Sequence, residues 1–164
     1  MASASLLADL NGYRATFERE INMKVLVATD GSKTSLRAVK YAANLLKSVN
    51  SRSNSITLIS VHDDLGLNHA RSFVGNQAIQ DYLRELSAKE LRPAMKLLDK
   101  MGVMHDMVIK TGHVAQEIVA FADGEKFDLV VLGSKGRGAL ADLLIGSVAQ
   151  RVLTTAKLPV TIIK

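Results

Sequence analysis

Four short runs of this chain are apolar almost without interruption: KVLVATD from Lys24, ITLISVHD from Ile56, DLVVLGS from Asp128 and PVTIIK from Pro159. A strand with one face in water alternates apolar and polar residues. An unbroken apolar run instead suits a strand buried on both faces, as in a parallel sheet covered by helices on each side. A fifth segment, GVMHDMVIK from Gly102, mixes the two residue kinds and suits an edge strand. Helical spacing fills the gaps. Leu36, Val39, Ala43 and Leu46 follow the candidate N-caps Ser32 and Thr34, and a longer stripe runs through Ile79, Leu83, Leu86, Ala94, Leu97 and Met101. Val114, Ile118 and Phe121 form a third helix, with His113 at its start, and Val148 with Val152 a fourth behind Gly146-Ser147. Pro93 falls inside the second stripe and is expected to kink or split that helix. Strand and helix alternate four times before a closing strand. The expected fold is α/β, an open, doubly wound, five-stranded parallel sheet with helices on both faces.

The 164 residues are read as an N-terminal extension, residues 1–22, and one domain, residues 23–164. In the extension Leu6, Leu10, Tyr13, Phe17 and Ile21 share a helical face, which makes it amphipathic. It lacks the basic start of a secretory signal, and no apolar run approaches the ~20 residues of a membrane span. With no Cys for disulfides, a soluble, cytoplasmic protein is expected. The net charge of +5 comes from Lys and Arg spread along the chain rather than clustered, and the chain has no Trp. No specific nucleic-acid partner is therefore expected. The irregular stretch from Asp63 to Gln77 is expected to be a flap.

Ligands on open parallel sheets bind beyond the carboxyl ends of strands, where the strand order reverses. Three loops should meet there, after Val27, Val61 and Leu132. Two common phosphate motifs fail. Gly133 and Gly138 have Walker A spacing, but Ala139-Leu140 stand where Lys-Ser/Thr is needed, and TDGSKTS is not a dinucleotide fingerprint. What remains is Gly133, two residues, Gly136, nine residues, then Gly146-Ser147. Glycines let backbone amides approach an anion, and a helix starting at Gly146-Ser147 would point unpaired N–H groups at it. Ser147 adds a hydroxyl, and Lys135 and Arg137 add positive charge. Several charge-assisted hydrogen bonds at ~1.5–3 kcal/mol each, against ~4–15 kcal/mol for association, leave room for micromolar affinity.

With its KVLVATDGSKTSLRAVKYA opening, its ITLISVHD strand and its GSKGRGALADLLIGSVAQRVLTTAKLPVTIIK ending, the chain resembles the universal stress protein family over residues 23–164. The resemblance implies a Rossmann-like or flavodoxin-like sheet of order 3-2-1-4-5. Its Gly-x2-Gly-x9-Gly-Ser signature implies ATP as ligand, with magnesium. Gly133, Gly136, Gly138, Gly146 and Ser147 would then serve the phosphates with Lys135, Arg137 and the Val148 and Ala149 backbone. Ala28, Thr29, Asp30, Val61 and Leu132 would line the adenosine, with Asp30 meeting the ribose or a metal-bound water. No metal is expected on protein ligands alone. The resemblance also implies a homodimer through the C-terminal strand; the N-terminal extension is a candidate to enlarge that contact or to build a tetramer.

The leading function is a nucleotide-dependent regulator of the stress response or of an unidentified protein partner. The alternatives are a slow ATPase or nucleotidyl-transfer enzyme on the same fold, and a ligand-free scaffold. His62 reads as structural rather than as a base. His69, His105 and His113 lack metal-like spacing, and Ser147 has no histidine near it in sequence to make it a nucleophile.

Overall fold

The computed structural model describes residues 22–49, 54–63, 75–136 and 145–164. The expectations for residues 1–21, for the stretch 64–74 and for Arg137, Gly138 and His69 lie outside the described residues. Nine elements follow one another within it: β1 Lys24–Ala28, α1 Lys33–Ser48, β2 Ser55–His62, α2 Asn76–Met101 and β3 His105–Thr111. α3 Val114–Gly124, β4 Leu129–Gly133, α4 Ser147–Thr155 and β5 Val160–Ile163 complete the order. All strand pairs are parallel and the sheet order is β3-β2-β1-β4-β5, the order the family resemblance implied.

The unbroken apolar runs have the reason expected of them. Within β1, Val25 and Val27 face α1 and α2, whereas Leu26 faces α3, and all three are fully buried. Val131 and Leu129 join the first core; Val130 and Leu132 join the second. A strand that serves two cores has no face left for polar residues. β3 lies at an edge, where Asp106 is exposed and Lys110 half-buried, in line with its mixed sequence. β5, the other edge, splits its side chains as well: Val160 and Ile162 pack on the second core and Ile163 on the first.

Two helices depart from the sequence pattern. Pro93 does not split α2, which is one helix of 26 residues. Pro93 and Lys89 are both exposed, so the carbonyl that loses its Pro93 partner faces water. Leu91, Ala94 and Leu98, fully buried on the opposite face, hold the helix to the sheet through that turn. In α4 the core contacts come from Ala149 and Val152, whereas Val148 is exposed. Ser32 caps α1, its hydroxyl accepting the Ser35 N–H at 3.2 Å; Thr34 is instead inside the first turn.

Candidate functional site

The chain runs β1 to β2 to β3 in one direction and β4 to β5 in the other, so the loops after β1 and β4 part company at the carboxyl end of the sheet. A cavity of about 570 Å³ opens there. Its apolar wall comes from Val61, Val114, Ile118 and Leu132, and its polar side from Asp30, Lys135 and Ser147. Of the residues singled out in the sequence, Ala28, Thr29, Gly133, Gly136, Gly146, Val148 and Ala149 also border it. Arg137 and Gly138 belong to the undescribed stretch.

The glycines do different work. Gly133 ends β4 under the first turn of α1: a Cβ there would stand 2.8 Å from the Ser35 nitrogen and 2.8 Å from the Thr34 carbonyl carbon. Both are backbone atoms that cannot step aside, so Gly133 is required by packing before any ligand arrives. At Gly136 a Cβ would meet, among the described residues, the Asp30 carboxylate, with Oδ2 at 2.9 Å. This glycine faces the cavity and the carboxylate across it. Gly31 adopts φ +75°, and a Cβ on it would lie 3.3 Å from the Glu90 Cα. The β1–α1 loop therefore rests directly on α2.

That loop is braced from within. The Thr29 N–H donates to the Ile59 carbonyl at 3.0 Å, its hydroxyl accepts the Gly31 N–H at 3.2 Å, and the same hydroxyl is hydrogen-bonded to Ser35 Oγ at 3.1 Å. Thr29 is buried, so its hydroxyl builds the loop rather than offering itself to a ligand. Asp30 Oδ1 accepts the Ser32 N–H at 3.0 Å, which turns the carboxylate toward Gly136.

The other side is pinned at its base. Thr34 Oγ1 donates to the Lys135 carbonyl, and the Gly146 N–H donates to the Ser134 carbonyl at 2.7 Å. The Gly146 amide is thus spent on closing the loop, contrary to the expectation that it points at an anion. Gly146 is instead the N-cap of α4, its carbonyl accepting the Gln150 N–H at 2.9 Å. The amides of Ser147, Val148 and Ala149 have no partner within their own helix and carry its positive dipole end at the cavity.

Sequence reasoning missed Ser35, Ile59, Ser134, Val114 and Ile118 as lining residues. The last two were visible only as a helical stripe, and a stripe does not distinguish a core position from the rim of a pocket. It also missed a buried polar cluster beneath the β1–α1 loop. Ser60 Oγ donates to Glu90 Oε2 at 2.9 Å, and His62 Nε2 is hydrogen-bonded to Ser87 Oγ at 2.8 Å and lies 3.7 Å from Glu90 Oε2. Ser60, Ser87 and Glu90 are buried, and no buried side-chain nitrogen or oxygen among the described residues lacks a partner. The cluster ties α2 to β2 at the point where Gly31 leans on Glu90. His62 has structural partners, as its position suggested.

The model of the universal stress protein family matches residues 22–164. The chain belongs to this family. It is 35% identical over 141 residues to the universal stress protein MJ0531 of Methanocaldococcus jannaschii, a match covering 86% of this chain and 81% of that one. Among solved structures, that of MJ0577 from the same organism superposes with a TM-score of 0.73 at 27% identity, covering 88% of this chain and 96% of the other. A universal stress protein in complex with cAMP superposes with a TM-score of 0.59 at 26% identity, covering 87% and 96%. No helix among the described residues is long and apolar enough to cross a membrane.

Proposed function

We propose that this universal stress protein binds an adenine nucleotide, ATP foremost, at the carboxyl end of its sheet and acts in the cytoplasm as a nucleotide-dependent regulator of a partner protein in the stress response. One observation carries the reading: an apolar wall, a helix N-terminus and the Asp30 carboxylate all line a single cavity. The base would lie against Val61, Val114, Ile118 and Leu132, where burying its faces is favourable. The phosphates would take the amides of Ser147, Val148 and Ala149, the Ser147 hydroxyl, the strip from Gly133 to Gly136 and the Lys135 charge. Asp30 suits the ribose, whose hydroxyls donate to a carboxylate. The cAMP complex of a relative supports an adenine nucleotide as the ligand class.

Among the described residues there is no group of three His, Asp or Glu side chains that could hold a metal ion. In this reading magnesium arrives on the phosphates, completed by water, with Asp30 acting through a metal-bound water. Native mass spectrometry of freshly purified protein, with the released ligand identified, tests the reading. A bound adenine nucleotide is the expected result; a cavity that neither retains one nor takes up added ATP contradicts it. Turnover of ATP with magnesium is expected to stay far below the ~10 per second typical of enzymes. A rate in that range, abolished in Asp30→Ala, would replace the regulator with an ATPase.

The reading includes a homodimer through β5. This strand ends the sheet, and its outer row of amides and carbonyls has no further strand beside it among the described residues. Antiparallel pairing with the β5 of a second subunit closes both edges through one two-fold axis. Light scattering after size exclusion should report at least twice the 17.7 kDa of one chain. A monomer at tens of micromolar would rule the dimer out.

A further inference from the structure

Basic residues that are spread along the chain are gathered by the fold on one face. α1 and α2 pack side by side over the first core. On α1, Lys33, Arg37, Lys40 and Lys47 fall at i, i+4, i+7 and i+14, one stripe along the helix crest, and all four are exposed. On the second half of α2, Lys89, Arg92, Lys96 and Lys100 fall at i, i+3, i+7 and i+11, and these are exposed as well. The opposite face differs: its helices, α3 and α4, hold Glu117 and Asp123 against Arg151.

The two stripes lie level with each other. Gly31, just before α1, rests on Glu90. At the far end Asn54 Nδ2 donates to the Leu46 carbonyl at 3.2 Å and the Val49 carbonyl at 2.9 Å, and the Ile56 N–H donates to the Met104 carbonyl at 3.1 Å. Both stripes therefore begin beside the β1–α1 loop and end at the start of β2. The α1 stripe is about 21 Å long, and the axes of packed helices lie roughly 8–10 Å apart. α1 contains no acidic residue. On α2 from Lys89 onward Glu90 is buried, so Asp99 is the one exposed carboxylate, 3.9 Å from His105 Nε2.

We propose that this face binds duplex DNA through its phosphate backbone, without reading sequence. A folded protein surface intersperses both signs of charge. B-DNA instead presents one negative charge per about 1.7 Å of axis, or about twelve over the length of the α1 stripe. Two stripes of four cations each, with a single carboxylate among them, match the one-signed partner. Tyr41 is the one exposed large hydrophobic residue along these stripes, too little to stack single-stranded bases or to anchor in a bilayer. Duplex RNA is held through its 2′-hydroxyls as well, and Asn44 is the one uncharged polar side chain within the stripes. Contacts made by charge to phosphate position a duplex without selecting its bases. The inference is independent of the nucleotide site.

Fluorescence anisotropy of a labelled, mixed-sequence DNA duplex of about two helical turns, titrated with the full chain, tests the proposal. Binding is expected at low salt, and neutralising four phosphates gives a slope of about −3.6 for log affinity against log salt. Lys40→Glu combined with Lys96→Glu should weaken binding at least about tenfold. Arg151→Glu combined with Lys157→Glu, which changes the net charge of +5 by the same amount, should leave it within about twofold. Circular dichroism checks that both variants fold; if either does not, the corresponding Gln pairs give the same comparison. No binding by the parent, a slope near zero, or equal weakening by the two pairs would each overturn the proposal. So would tighter binding to an RNA duplex, to phosphatidylserine vesicles or to polyglutamate than to the DNA.

Discussion

Gly136→Val should weaken ATP binding at least tenfold while leaving the fold intact. The Cβ of the new side chain would approach Asp30 Oδ2 at 2.9 Å, and that oxygen is the far end of a flexible side chain that can swing away. The backbone therefore needs no adjustment. The two methyl groups, however, would stand in the cavity opposite the amides of Ser147 and Val148 and push the carboxylate off its bearing. Lost approach of phosphate to backbone, together with a displaced Asp30, amounts to at least about 1.4 kcal/mol, the equivalent of a factor of ten. Titration calorimetry measures the affinity, and circular dichroism with a thermal melt checks the fold. Unchanged affinity would remove the Gly136 strip from the site.

Gly133→Ala should do the reverse, lowering stability first. Its single methyl group would lie 2.8 Å from two backbone atoms in the opening turn of α1. Neither can rotate away, so α1 and β4 must separate, and with them Val39 and Val131 of the first core. Overpacking of this kind costs about 1–3 kcal/mol. Urea denaturation should show the midpoint falling with an unchanged slope. A variant as stable as the parent, but unable to bind ATP, would instead assign Gly133 to the ligand alone.

The contrast between these glycines marks how far the sequence could be read. Their spacing announces a cradle, but spacing cannot say that one glycine makes room for a helix and the other for a ligand. The sheet was legible because its strands serve two cores and so carry unbroken apolar runs, with β3 as the mixed exception at an edge. Pro93 misled because its effect depends on which side of α2 faces water, and exposed Lys89 and Pro93 put the lost hydrogen bond on the solvent side. The cluster of Ser60, His62, Ser87 and Glu90 was invisible for a different reason. Its two halves, on β2 and on α2, sit 25 to 30 residues apart, and only the register of α2 over β2 brings them together. In the site, Asp30 and Ser147 stood out by residue type and position. Thr29 and the Gly146 amide turned out to be occupied in holding the loops, which no motif reveals.

The central claim is that this chain takes an adenine nucleotide in the cavity between β1 and β4. Titration of the full-length protein, first stripped of any ligand carried through purification, with ATP and magnesium tests it most directly. The account predicts one site per chain, a dissociation constant in the micromolar range, and competition by other adenine nucleotides. A folded, stripped protein that gives no binding signal with ATP, AMP or cAMP at millimolar concentration would contradict it.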